Sequence, residues 1–201
     1  MSDYPSQKKL ARAVSSAAHG EAITERRFRR WLAVIALIEV LKIANRASTI
    51  PAFLVKGGFS LELRFGNRAR SSRDLDIVVD IPPDMLVAAF VEALRGEWSG
   101  FAFRLKSPPE ERPHAVRIEV NSLYLKAPWA TFEVDLVTGS ADIQERVEAY
   151  DLGAFGLASP SAVPCLNVSH QLAQKIYAVT DPDDDRARDL IDIYLLDRAA
   201  K

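Results

Sequence analysis

The 201-residue sequence predicts an α+β fold, a mixed β-sheet flanked by N- and C-terminal helices. Helical periodicity is concentrated at the two ends, in residues 22–46 and 169–199. Period-two alternation is confined to the middle, in short runs between Phe53 and Val137. Apolar residues make up 48% of the chain, enough for one substantial core at this length. The chain is therefore read as a single domain, 1–201. It has a helical N-terminal part at 1–49, a sheet core at 50–140 and a helical C-terminal part at 141–201.

In chain order, Gln7 to Ala18 is a weak helix stopped by Gly20, a tail or a docking arm. Residues 22–46 form a strong helix. Thr24 can cap it, and Trp31, Ile35, Ile38 and Leu41 recur at helical spacing. Phe53–Val55 is the first core strand, and the double glycine Gly57-Gly58 makes a turn into a short helix from Ser60 to Arg64. The strand at 74–79 is closed by Ile81-Pro82-Pro83, after which Asp84 caps a helix to Leu94. Phe101–Leu105 and Val116–Leu125 alternate as strands on either side of a Pro/Glu loop. In the second of these, Arg117, Glu119 and Asn121 form the outward row. Thr131–Val137 is the next strand, and 140–163 reads as an irregular connector. Ser169–Val179 is a helix with Leu172, Ala173, Ile176 and Val179 on its buried face. The acidic loop Asp181-Pro182-Asp183-Asp184-Asp185 caps a last helix, Arg186–Ala199, that buries Leu190, Ile193, Tyr194 and Leu196. Its stripe Asp185, Asp189 and Asp192 reads as solvated.

Composition excludes several classes. A lone Cys165 rules out an internal disulfide framework and a cysteine zinc site, and three scattered histidines do not make a metal cluster. No run of 18 apolar residues spans a membrane and no signal peptide opens the chain, so a cytoplasmic protein is expected. Net charge is −1, but residues 1–73 hold 14 Lys/Arg against 5 Asp/Glu, and the rest reverses that balance. Arg26, Arg27, Arg29 and Arg30 crowd the first turns of a helix, where the macrodipole disfavours cations. They read either as a solvated face or as a surface for RNA or another polyanion. Arg64, Arg68, Arg70 and Arg73 precede two acids, as charge balance, a phosphate rim, or both.

Asp74 and Asp76 carry the chemistry. Two apart on a strand, they point to one face while Leu75, Ile77 and Val79 point to the core. Side-by-side carboxylates repel and resist desolvation, and a divalent cation removes that cost. The strand at 131–137 supplies a third acid, Asp135 in preference to Glu133, on its outward row.

Gly-Gly followed some 16 residues later by D-x-D on the next strand is the pairing of polymerase-β-like nucleotidyltransferases. The sequence adds Lys56-Gly57-Gly58-Phe59-Ser60-Leu61, Ser72-Arg73-Asp74-Leu75-Asp76, Gln174-Lys175-Ile176-Tyr177-Ala178 and Arg186-Ala187-Arg188-Asp189-Leu190-Ile191-Asp192, in that order. With these four motifs it resembles the AbiEii/AbiGii toxin-like nucleotidyltransferases of abortive-infection and toxin–antitoxin systems. The resemblance implies a polymerase-β-type fold. It implies transfer of a nucleotide from a nucleoside triphosphate with two Mg²⁺ ions to an acceptor, foremost the 3′ end of a tRNA. It also implies an antitoxin partner and no membrane. A protein or small-molecule acceptor, or a non-catalytic partner-binding module, are the alternatives. By motif, Lys56, Gly57 and Gly58 would hold the triphosphate, and Asp74, Asp76 and Asp135 the metals. Lys175 would contact the nucleotide, with Asp189 on the opposite wall. Ser60 would add a hydroxyl donor, and Arg73 or Arg70 would stabilise developing charge.

Overall fold

The computed structural model describes residues 4–21, 23–180 and 187–199. Two helices come first, α1 (Gln7–Gly20) and α2 (Glu25–Arg46). Then follow β1 (Phe53–Lys56), α3 (Gly57–Phe65), β2 (Asp74–Val79), α4 (Pro83–Ala93), β3 (Glu97–Trp98) and β4 (Phe101–Leu105). The chain continues through β5 (Glu110–Arg112), β6 (Ala115–Tyr124), β7 (Ala127–Thr138), β8 (Gln144–Val147), β9 (Val163–Leu166), α5 (Val168–Val179) and α6 (Ala187–Ala199). The strands form one mixed sheet in the order β3-β4-β6-β7-β2-β1-β9-β8, with β5 paired to β6.

Helix α2 is the spine. Every residue from Leu32 to Lys42 is buried, so it is wrapped on all sides rather than along one stripe. Its start follows the sequence: the Thr24 hydroxyl accepts the Arg27 amide at 3.2 Å. Inside this apolar run Glu39 and Lys42 form a buried ion pair. Lys42 Nζ donates to the Ser161 carbonyl at 2.8 Å, and Glu39 Oε1 accepts the Ser161 amide at 3.1 Å. The pair is thus satisfied by the backbone leading into β9. Helix α1 is no free arm, because Leu10, Val14 and Ala18 are buried in the same core.

Three expectations are corrected. The stretch 140–163 is not an irregular connector, since β8 lies within it and β9 begins at its end. β9 runs parallel to β1, and β8 pairs with β9 at the sheet edge. The 141–201 part is therefore not purely helical. Helix α4 starts at Pro83 with no side-chain cap, which puts Asp84 inside its first turn. The C-terminal helices bury polar faces: α6 buries Asp189, Asp192 and Leu196 while Leu190 and Tyr194 are exposed. In α5, Gln171 is the buried residue and Ile176 is exposed. Asp181–Arg186, including the acidic loop and Asp185, lie outside the described residues.

Candidate active site

Strand register builds the acidic face. β2 and β7 run parallel, with Asp74 opposite Glu133 and Asp76 opposite Asp135. The alternation predicted for each strand holds: Leu75, Ile77, Val134 and Leu136 are fully buried on the core side. On the other side β6 adds Arg117, directly across from Asp135.

Helix α3 begins at once after β1, and the glycines serve two different purposes. Gly57 has φ +64, and a Cβ there would stand 1.9 Å from Asp76 Oδ2. Gly58 is already helical, and its Cβ would stand 2.6 Å from Ser72 Oγ and 2.9 Å from Ser72 Cβ. The helix N-terminus thus rests directly over the aspartates, as close as backbone can come. Gly57→Ala is expected to cost about 1–3 kcal/mol of stability from strain alone. It should also displace the Asp76 carboxylate, so thermal melting and transfer activity should fall together.

Asp76 has no hydrogen bond or ion pair among the described residues. Burial foremost, and then the charge of Asp74, pushes its pKa up to about 7, against the pull of Lys56. Asp135 is held differently. Arg117 Nε and its terminal nitrogen donate to the two Asp135 oxygens at 2.6 and 2.5 Å. The other terminal nitrogen reaches Glu133 at 2.7 Å, and Asp74 Oδ2 lies 3.5 Å from the guanidinium. Hydrogen bonding to Asp135 raises the Arg117 pKa further. Among the described residues no three His, Cys, Asp or Glu side chains converge as a preformed metal cluster. One side of the acid row is instead neutralised by Arg117. The donor set still fits a hard divalent cation: it is all carboxylate oxygen, and the half-buried Asp76 carboxylate has no hydrogen bond or ion pair among the described residues, Lys56 and Lys175 acting on it only through their charge.

Other candidate residues divide. Lys56 lies across from Asp76 in register. Ser60 is fully buried, and its hydroxyl donates to the Gly57 carbonyl at 2.8 Å. The buried Gln171 amide bridges Ser60 and the Gly57 carbonyl from α5. Ser60 therefore shapes the glycine turn, and its expected role as a phosphate donor is corrected. Arg70 is likewise withdrawn from the rim, because it forks onto Asp192 at 3.1 and 2.9 Å. Arg64 is tied to Glu145 and the Leu166 carbonyl, and Arg68 sits 5.9 Å from the Phe65 ring. Arg68 and Arg73 are both exposed and form no ion pair among the described residues, and of the two it is Arg73 that adjoins Asp74. Lys175 joins Asp189 at 2.6 Å and Asp192 at 2.8 Å. Asp189 and Asp192, two members of the stripe that read as solvated, thus belong to a buried charge network. Lys175 is close enough for its charge to act on Asp76.

Two residues escaped the sequence reading. Arg117 was placed on the outward row, but its meeting with three acids depends on register between strands, which alternation does not specify. Glu62 is 3% exposed and joins three segments. It accepts Arg27 of α2 at 3.2 Å, lies 3.5 Å from Arg30 and accepts the Ser72 amide. Ser72 in turn donates to Asp74 Oδ1 at 3.1 Å. A glutamate two residues after Ser60 carries no signal that distinguishes it from a surface residue.

Comparison with known proteins agrees with this architecture. A family profile described as "Nucleotidyl transferase AbiEii toxin, Type IV TA system" matches residues 40–200. No curated protein matches the chain. Among solved structures, a candidate nucleotidyltransferase from H. pylori is similar with a TM-score of 0.53 and 17% identity, covering 88% of this chain and 70% of its own. An antigenic nucleotidyltransferase-like protein from Paracoccidioides brasiliensis gives 0.54 and 14%, covering 81% and 74%. At these identities the likeness is one of fold. No described helix is long and apolar enough to cross a membrane.

Proposed function

Because the chain belongs to the AbiEii nucleotidyltransferase toxin family, of type IV toxin–antitoxin systems, we propose that it moves a nucleoside monophosphate from a nucleoside triphosphate onto RNA, at the 3′ end of a tRNA. That it is a nucleotidyltransferase follows from the family. The acceptor, the cation and the residue roles are our reading. The observation that carries it is the register that sets Asp76 beside Asp135 and Asp74 beside Glu133, directly beneath Gly57.

In this reading Asp74, Asp76 and Asp135 would hold Mg²⁺, which when bound would offset triphosphate charge and lower the pKa of an attacking hydroxyl. The chain's own groups do the positioning. The first amides of α3, opened by Gly57, face the phosphates with the positive end of the helix. Lys56 and Lys175 add charge on either side of Asp76, and Asp189 with Asp192 fixes the Lys175 ammonium. Arg73 lies beside the acids where charge develops on the departing pyrophosphate. Arg117 orients Asp135 by its two-pronged contact and shields Glu133 from it. An antitoxin encoded with the protein would be its partner, as the family implies.

The test is incubation with each α-labelled nucleotide, Mg²⁺, and total RNA plus protein, resolved on a gel. Label is expected in tRNA-sized RNA with the native chain and in nothing with Asp74→Ala. Label in protein instead would replace RNA as acceptor. Undiminished RNA labelling by Asp74→Ala would reject the site.

A further inference from the structure

Beside the acid row the surface opens into a groove of about 1000 Å³. Its walls come from the first turns of α2, the segment before Asp74, and strands β6 and β7. Arg26, Arg27, Arg29, Arg30, Arg73 and Lys106 line it, against Glu25, Glu119 and Glu133. We propose that this groove is the track for the acceptor's phosphodiester backbone, delivering its terminal hydroxyl to Asp74 and Asp135. The proposal rests on the RNA-acceptor reading above and assigns it a place.

Three observations support it. First, the cations outnumber their partners. Arg27 and Arg30 share the single buried Glu62, at 3.1 and 3.5 Å, and Arg26 and Arg73 have no ion pair among the described residues. Cations gathered at a helix N-terminus oppose the dipole, and the neighbouring Arg27 and Arg26 add to burial in lowering the Arg30 pKa. Bound phosphates would relieve that crowding. Second, the guanidinium groups are held in place before any ligand arrives. Arg29 is stacked 4.8 Å over the Trp129 ring and paired to Glu25 at 3.0 Å, and Arg30 donates to Ser71 Oγ at 3.1 Å. Planar, fixed donors suit phosphate oxygens better than flexible ammonium groups do. Third, the groove ends at the chemistry. Glu133 lines it and also accepts from Arg117, and the Asp74 charge reaches Arg30. Trp129 is only 5% exposed, so the groove offers no stacking platform for bases. Contact is expected to be with the backbone, and its sequence preference weak.

The experiment is titration of a fluorescein-labelled single-stranded RNA with the full chain across a salt series. The native chain is compared with the double variant Arg26→Ala/Lys106→Ala, both positions being exposed. Polyglutamate is the competitor, and binding of a fluorescent nucleoside triphosphate is the control. The variant is expected to bind RNA about tenfold more weakly and to lower the slope of log K against log salt by about 1.4, for two lost contacts. Its triphosphate binding and melting temperature should be unchanged. Unaltered RNA affinity and slope in the variant would overturn the groove and leave the RNA reading standing. Displacement of RNA by polyglutamate at equal charge would overturn it in favour of an acidic protein surface. No RNA binding by the native chain, with label transferred to protein, would overturn both.

Discussion

Asp76→Asn is expected to lower nucleotide transfer by at least about a thousandfold, the scale on which charge-stabilising groups act in phosphoryl transfer. The same substitution is expected to make the chain more stable at neutral pH, a combination that a purely structural residue would not give. The folded-state pKa of Asp76 is pushed up to about 7 from 3.8. The protonated carboxyl therefore contributes its stability below about pH 4, and that contribution is lost as pH rises through about 7. Asparagine never ionises and keeps it. In the presence of EDTA, the melting temperature of the variant should match the native chain near pH 4 and exceed it at pH 8. The gain should be roughly 2–4 °C for each kcal/mol. Mg²⁺ should then raise the native melting temperature and leave the variant's unmoved. Equal melting at pH 8, or transfer within about tenfold of native, would remove Asp76 from the centre of the site.

Asp192→Ala is expected to be the most damaging single change to stability in the C-terminal helices. Asp192 is fully buried, and its Oδ2 receives both Lys175 at 2.8 Å and Arg70 at 2.9 Å. Removing it leaves two cations around Asp189 alone, and uncompensated buried charge costs about 3–5 kcal/mol. Arg70 is about a third exposed, so water recovers part of that, and about 3 kcal/mol is expected by urea unfolding. Transfer should also fall, because the Lys175 ammonium loses one of its two anchors while Asp74 and Asp76 stay in place. A loss under about 1 kcal/mol would show the network to be solvated after all.

These residues mark what the sequence could and could not convey. Strands β2, β4, β6 and β7 were legible because each has one wet and one dry face, and the two carboxylates of β2 stood out against that alternation. β9 was not: all four of its residues are buried, so it has no period, and it follows a run rich in turn residues. The α6 face was misread because the rule that buried residues are apolar fails where acids and bases neutralise each other inside. The resemblance named Lys175 and Asp189 without revealing that they touch. Ser60 was misjudged for a related reason, since a hydroxyl near a glycine turn looks the same in sequence whether it faces a ligand or a carbonyl. Arg117 and Glu62 depend on contacts between segments at least 16 and 10 residues apart, and nothing local encodes those contacts.

The central strand β1 lies between β2, which follows soon after it, and β9, which is made more than a hundred residues later. Helix α5, which holds Gln171 against the glycine turn, and α6, which anchors Lys175, come later still. A ribosome-bound chain can pair β1 with β2, but it cannot seal the other edge or anchor the lysine until β9, α5 and α6 have all been made. Unfinished or prematurely terminated products would then be inert, and a cell that abandons synthesis partway would release no working fragment.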